Sequence, residues 1–377
     1  MALSATEQTA TPALVAGDRL KPVRIWLYCI ALLVLAMVVV GGATRLTESG
    51  LSITSWKPIS GTIPPLTDAD WQAEFEAYRQ IPQGVQNSWM GIEDFKSIFW
   101  WEWAHRFLGR FIGFAFAVPF VVFLFQKRFN WSLAAPLGGL FVLGGFQGFL
   151  GWWMVSSGLS ELTSVSQYRL AAHLFAASLL FIALIWVARR LEPAKAAGGV
   201  VGWPVWGMLG MIMLQIVAGA FVAGLDAGMG YNTWPLMDGA LIPRGLDVID
   251  PFWKNLFENA LTVQFIHRMI AYAVVIYAGW LLWRQSRHGG FGGVHGWLPR
   301  IAALIGLQVV LGIATLVSMV PISLALGHQA LAFMLAGAVT GYLADGTPRR
   351  GVSVKRALIL GVIPAKARIQ LSGRRKR

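Results

Sequence analysis

Trp101-Glu102-Trp103-Ala104-His105-Arg106 opens an apolar run that continues to Phe125, and Gln264-Phe265-Ile266-His267-Arg268 opens another that continues to Trp283. Each run is long enough to cross the hydrocarbon of a bilayer, which takes roughly 20 residues of helix. Each also carries a His-Arg pair near its start. An imidazole inside a membrane span is costly unless it is paired or ligated. Two further apolar runs carry His173 and His328 at corresponding places. Four imidazoles in four such helices point to a bound metal or cofactor rather than to packing.

The composition agrees with a chain that lives in lipid. Of 377 residues 56% are hydrophobic and only 13% charged, with a mean hydropathy of +0.59, whereas soluble domains carry about 25% charged residues. The formal net charge of +13 does not indicate a nucleic-acid partner. The basic residues fall in short clusters between apolar runs, as in the cytoplasmic loops of membrane proteins. The single cysteine, Cys29, excludes an intrachain disulfide.

Apolar runs near 25–43, 103–125, 132–155, 169–190, 203–223, 261–284, 299–320 and 325–345 predict eight transmembrane helices. The first is followed by further spans and lacks a cleavage site, so it stays as a helix. Lys21, Arg24, Lys127, Arg128, Arg189, Arg190, Lys195, Arg284, Arg287, Arg300 and the basic tail put both termini and the short loops in the cytoplasm. The long loops, about 44–101 and 224–260, then face outward, with the histidines near that face. In the first loop Thr67 or Asp68 caps a helix through Trp71, Phe75 and Tyr78, with Glu74, Glu76 and Arg79 on its polar side; this reads as a helix lying on the membrane surface. Asp250-Pro251 predicts a helix start that feeds into the sixth span. Trp100, Trp101 and Trp103 mark the outer interface.

An internal repeat organises the chain. Gly50-x5-Trp56-x4-Gly61-x3-Pro65 returns as Gly228-x5-Trp234-x4-Gly239-x3-Pro243 at an offset of 178. His105-Arg106 returns as His267-Arg268 at 162, Gln147-x2-Leu150-Gly151 as Gln308-x2-Leu311-Gly312 at 161, and His173 as His328 at 155. The expected fold is therefore an all-α integral membrane protein of eight transmembrane helices, arranged as two pseudo-twofold-related four-helix bundles. Segment 1–24 precedes them, 25–200 forms the N-terminal half, 201–345 the C-terminal half, and 346–377 a basic cytoplasmic tail whose apolar run, Ala357 to Ile363, is too short to span.

In each copy the second and fourth spans offer one histidine apiece, which suits a haem iron held from both faces. Zinc more often draws Cys or carboxylate at short spacing, absent here. His288 and His295 fall in a glycine-rich loop and read as solvated. The copies differ where Glu102, three residues before His105, is answered by Gln264 before His267. A carboxyl can move a proton or stabilise positive charge, and an amide cannot; alternatively Glu102 is an interfacial anion paired with Arg106. The contrast marks the first copy as the reacting site. Arg169, four residues before His173, either meets a propionate or simply starts its helix.

Three motifs carry a family resemblance: Thr44-Arg45-Leu46-Thr47-x-Ser49-Gly50-Leu51-Ser52, Glu102-x2-His105-Arg106-x2-Gly109, and Asn232-Thr233-Trp234-Pro235-Leu236-Met237-x-Gly239. Together they resemble the haem A synthases, bacterial and mitochondrial, over about residues 22–345. The resemblance implies oxidation of the C8 methyl of haem O to a formyl group by successive hydroxylations, the formyl arising by loss of water from a geminal diol. It implies a haem b (iron) cofactor at His267 and His328, and a haem O substrate site with Glu102, His105 and His173 as the catalytic set, so that all four histidines are metal ligands. It also implies the inner membrane of a bacterium, an electron donor, and haem O handed over by the farnesyltransferase that makes it. The sequence admits a homo-oligomer. Some family members carry a cysteine pair in the first outer loop; this chain has none there.

Two other classes fit parts of the pattern. A diheme b-type electron-transfer subunit explains the four histidines and leaves Glu102 idle. A transporter is suggested by Gly109-x3-Gly113 and Gly337-x3-Gly341, which more often mark close helix packing.

Overall fold

The computed structural model describes residues 12–57, 60–160, 162–192 and 201–348, with side chains from residue 19 onward. Among the described residues eight helices are long and apolar enough to cross a membrane, and no strand is present. In chain order these spans are Pro12–Leu46, Ile92–Phe125, Trp131–Val155, Gln167–Arg190, Trp203–Gly224, Ala260–His288, Trp297–Val317 and Ile322–Gly346. The protein is a multi-pass, all-α membrane protein. Every backbone amide within such a helix finds its carbonyl four residues back, which is what hydrocarbon demands.

The spans pair in two rings. The first span packs on the second and fourth, and the third on the second and fourth; likewise the fifth packs on the sixth and eighth, and the seventh on the sixth and eighth. Between the rings the fourth span meets the fifth and the eighth, and the first meets the eighth. Exchanging the rings carries the fourth–fifth contact onto the first–eighth contact and leaves the fourth–eighth contact in place, a pattern compatible with a twofold relation. The shared core runs along these seams through Leu27, Leu184, Met208, Phe333, Tyr342 and Leu343.

Several boundaries differ from the sequence reading. The first helix runs back to Pro12, into the segment 1–24 expected to precede it. The second starts at Ile92, where the Asp94 carboxylate accepts from the Gly91 amide at 3.0 Å, so it projects well beyond the apolar run. That projection changes the setting of the short helix Asp68–Arg79. Thr67 and Asp70 form a reciprocal capping box, as proposed for Thr67, and these hydrogen bonds from Thr67 hold the Asp70 carboxyl below the usual range. The helix's apolar face, however, is not offered to lipid. Trp71, Phe75 and Tyr78 close over Phe95, Ile98 and Phe99 of the projecting second span, with Leu51 and Ile53 beneath. Membrane-surface helices need a free apolar face; here the chain covers its own.

The approach to the sixth span is also stepped. After Pro251 comes a single tight turn, Phe252–Lys254, then Asn255–Glu258, and the helix breaks at Asn259 (φ −88°, ψ 109°). The Asn259 side chain caps the new helix by accepting from Leu261 and Thr262. His295 is not a solvated loop residue: its Nδ1 lies 2.9 Å from the Tyr342 hydroxyl. His288 is exposed as expected. The tail from residue 349 lies outside the described residues.

Ion pairs fasten the rings at both ends. At the short-loop end Arg189 grips Asp345 with two hydrogen bonds of 2.8 and 2.7 Å, and the Trp297 indole donates to the same carboxylate at 3.1 Å. At the long-loop end Arg45 meets Asp226 at 2.7 Å. The two pairs are unequal, because the side chains are 17% and 9% exposed in the former while Asp226 is 62% exposed. Losing the Asp345 carboxylate takes from Arg189 its two-bond partner and leaves it the Glu192 carboxylate at 3.0 Å, a loss smaller than the roughly 3–5 kcal/mol of fully breaking a buried pair, whereas an exposed pair contributes under about 1 kcal/mol. Asp345→Asn is therefore expected to lower the thermal midpoint of the purified protein by several degrees and Asp226→Asn to leave it nearly unchanged; equal effects would contradict this ranking.

Candidate functional site

All four histidines sit against a glycine of the preceding span. A β-carbon built on Gly41 would lie 3.2 Å from His105 Nε2, and one on Gly219 would lie 3.1 Å from His267 Cε1. On Gly151 it would lie 3.5 Å from His173 Cε1, and on Gly312 only 2.8 Å from His328 Cε1. The missing side chains let each ring tuck against its neighbour's backbone. Gly151 and Gly312 belong to a motif read from the sequence; Gly41 and Gly219 do not, although their offset of 178 matches the loop repeat and was the available signal.

The His267 and His328 rings stand with centroids 6.5 Å apart and planes at 71°. A metal between two imidazoles sits about 2 Å from each nitrogen, and adding about 1 Å to each ring centre gives a centroid separation of roughly 6 Å. The pair is thus spaced for one iron held from both sides. His105 and His173, each packed against a glycine in the same way, occupy on the second and fourth spans the places that His267 and His328 hold on the sixth and eighth. Among the described residues no three His, Cys, Asp or Glu side chains converge on one point. Two ligands per site suit a metal whose remaining positions a macrocycle fills.

The polar atoms around the rings support that fit. His173 Nδ1 and His328 Nδ1 are buried without a hydrogen-bond partner, a condition that buried polar groups seldom tolerate unless a ligand meets the group. Gln308 Nε2 donates to the His328 carbonyl at 3.0 Å and lies 3.4 Å from that ring's Nε2. Gln215 Nε2 donates to the His267 carbonyl at 3.1 Å and stands 3.2 Å from both ring nitrogens. Being equidistant, it is aligned with neither nitrogen's in-plane lone pair. In the first half the residue matching Gln215 is Met37, and Gln147, which matches Gln308, has both amide atoms buried and unpaired.

Glu102 and Gln264 anchor their long loops. Arg106 donates to the carbonyls of Ser55 and Ile53 at 3.1 and 2.8 Å; Arg268 donates to those of Thr233 and Tyr231, both at 2.9 Å. The two carbonyl pairs stand at the loop offset of 178, so the duplicated motif extends to its hydrogen bonds. Glu102, 2% exposed, takes Arg106 on Oε1 at 3.0 and 2.6 Å, and the Ser52 hydroxyl and Ile53 amide on Oε2 at 2.8 and 2.7 Å. Gln264 instead accepts from Arg268 at 2.9 Å and donates to the Ala227 carbonyl at 2.7 Å. The carboxylate therefore meets a loop that offers donors, and the amide one that offers an acceptor. The pairing with Arg106 considered from sequence is present, and all four of these bonds lead to Arg106 and the loop rather than to an imidazole. Arg169 turns to the end of the third span, donating to the Trp153 carbonyl at 2.6 Å and Ser156 Oγ at 3.0 Å, with its guanidinium over the Trp153 ring.

Residues 24–340 match the family model described as cytochrome oxidase assembly protein, COX15-CtaA. A protein of Azorhizobium caulinodans named heme A synthase is 52% identical over 344 residues, which cover 90% of this chain and 98% of its own. Proteins of the same name from Allorhizobium ampelinum and Parvibaculum lavamentivorans are each 52% identical, over 330 and 315 residues, covering 86% and 83% of this chain and 90% of their own. With eight membrane-length helices among its described residues and this similarity along most of its length, this chain belongs to the COX15-CtaA family of cytochrome oxidase assembly proteins.

Proposed function

We propose that this protein is a haem A synthase, oxidising the C8 methyl group of haem O to a formyl group. The observation that carries the reading is a histidine pair built twice with unequal surroundings, in a chain sharing 52% identity with a named heme A synthase across 90% of its length. The net change converts methyl and water into formyl, four protons and four electrons. Successive hydroxylations and loss of water from the geminal diol reach the same product.

The C-terminal half holds a resident haem b between His267 and His328. Haem b, when bound, supplies one-electron transfer, tuned by its two imidazole ligands and by burial. Gln215 and Gln308 tie the fifth span to the sixth and the seventh to the eighth through the carbonyls of the histidines themselves. In the N-terminal half Met37 and the unpaired Gln147 make no such ties, which leaves those helices freer to part. A substrate has to enter and leave, and a cofactor does not. His105 and His173 hold haem O by its iron and fix the position of its methyl group.

Glu102 acts from a fixed position. Four donors hold its carboxylate, so it stabilises positive charge developing at the methyl carbon rather than swinging to collect a proton. Basic residues in the short loops support cytoplasmic termini, with the long loops and the histidine ends toward the outer face of the bacterial inner membrane. Haem O reaches the first half through the bilayer from the farnesyltransferase that makes it, and a membrane or soluble redox partner exchanges electrons with the second, taking up the four electrons where water supplies the oxygen and donating electrons where dioxygen does.

In purified protein His267→Ala and His328→Ala are expected to lose the haem b absorbance, while His105→Ala and His173→Ala keep it and form no haem A; the opposite pattern would reverse the assignment of the halves. Glu102→Gln places an amide against a loop that offers donors, leaving one of them unpaired at a cost of about 1–3 kcal/mol. That variant should keep haem b and make haem A at least about tenfold more slowly, as read by pigment chromatography; full conversion would remove the role given to Glu102. Unmodified haem b in both sites of the active wild type would favour an electron carrier instead.

A further inference from the structure

We propose that Gln147 is a specificity-determining residue of the N-terminal site, its amide taking a hydroxyl on the rim of the bound porphyrin. The inference rests on the assignment of that half to haem O and deepens it.

Gln147 stands one helical turn before Gly151, the residue against which His173 packs, so both lie on one face of the third span. Its counterpart Gln308 occupies the same place before Gly312 and reaches across to the His328 carbonyl. Gln147 makes no such bond. Its Oε1 and Nε2 are both shielded and both unpaired, whereas Gln308 leaves only Oε1 without a partner and Gln215 likewise. Stranding a buried amide costs about 1–3 kcal/mol, and the neighbouring copy demonstrates a backbone acceptor that would relieve half of it. Leaving donor and acceptor both unpaired in one copy alone is what a ligand-facing group requires.

The two free atoms restrict what fits. An amide presents a donor and an acceptor side by side, so a carboxylate or carbonyl would satisfy Nε2 and leave Oε1 stranded. A hydroxyl both accepts and donates, and satisfies the pair. Haem b carries only methyl, vinyl and propionate groups on its rim, which agrees with a second half whose glutamines have turned to the backbone. Haem O carries a hydroxyl at the base of its isoprenoid chain, and the first oxidation creates another on the methyl carbon. Either is the same chemistry to an amide.

The test replaces Gln147 by Leu and measures three quantities on purified protein: haem b absorbance, affinity for added haem O, and the ratio of hydroxymethyl product to haem A. Haem b should be retained. If the amide holds the hydroxyl already present in haem O, affinity falls about tenfold, the usual scale of one net hydrogen bond, with the product ratio unchanged. If it holds the hydroxyl formed at the methyl carbon, haem O binds as before and the hydroxymethyl product accumulates at the expense of haem A. Wild-type affinity and wild-type ratio together would overturn the proposal. Should the Leu variant fail to hold haem b, Gln147→Met, closer in shape, takes its place under the same criteria. Gln308→Leu is the matched control, expected to perturb the haem b spectrum and leave the affinity for added haem O alone. A wild-type protein that makes no haem A from haem O would defeat the functional reading itself, which separates that failure from this one.

Discussion

Everything in this molecule follows from the difficulty of keeping a polar group in hydrocarbon without a partner. Backbone amides solve it by helix formation. The imidazoles cannot solve it alone, and their surroundings have been shaped around them: a glycine at each ring, and in one half a glutamine at each histidine carbonyl. A ring pressed against bare backbone has little freedom to turn, so its direction is fixed before any ligand arrives. Such preorganisation keeps the cost of binding low.

Two copies under one constraint have met it differently. The arginines following His105 and His267 grip loop carbonyls in the same register, a structural device present in both halves. Around that shared frame the polar partners have diverged, Glu102 facing donors where Gln264 faces an acceptor, and Gln147 standing free where Gln308 is tied. Divergence of the polar residues near the rings, over a preserved frame of arginine-held loops, is what separate tasks for two similar cavities produce.

Much of this was legible in the sequence. The eight spans follow from runs of apolar residues, and the pairing of histidines follows from the repeat, because both are one-dimensional signals. The helix faces were legible too: Trp71, Phe75 and Tyr78 do share a side. What covers that side was not, since it depends on the second helix starting at Ile92, within a polar stretch where hydropathy is silent. The grip of Arg106 on Ile53 and Ser55 escaped for another reason. Its acceptors are backbone carbonyls, which every residue has and no residue type betrays. His295 looked like loop because glycines surround it, and only the fold brings Tyr342 to it.

The arginine-held loops bear on how the two halves could drift in size without losing register. The offset between copies is 178 at the loop motif and 162 at the histidines, so the first copy is longer between those points. The surplus falls beyond the carbonyls that Arg106 holds and includes the helix Asp68–Arg79. Growth at that place lengthens the chain while leaving both ends of the segment pinned. A duplicated gene can therefore acquire a new cap on one half by insertion, with the ligand geometry insulated from the event.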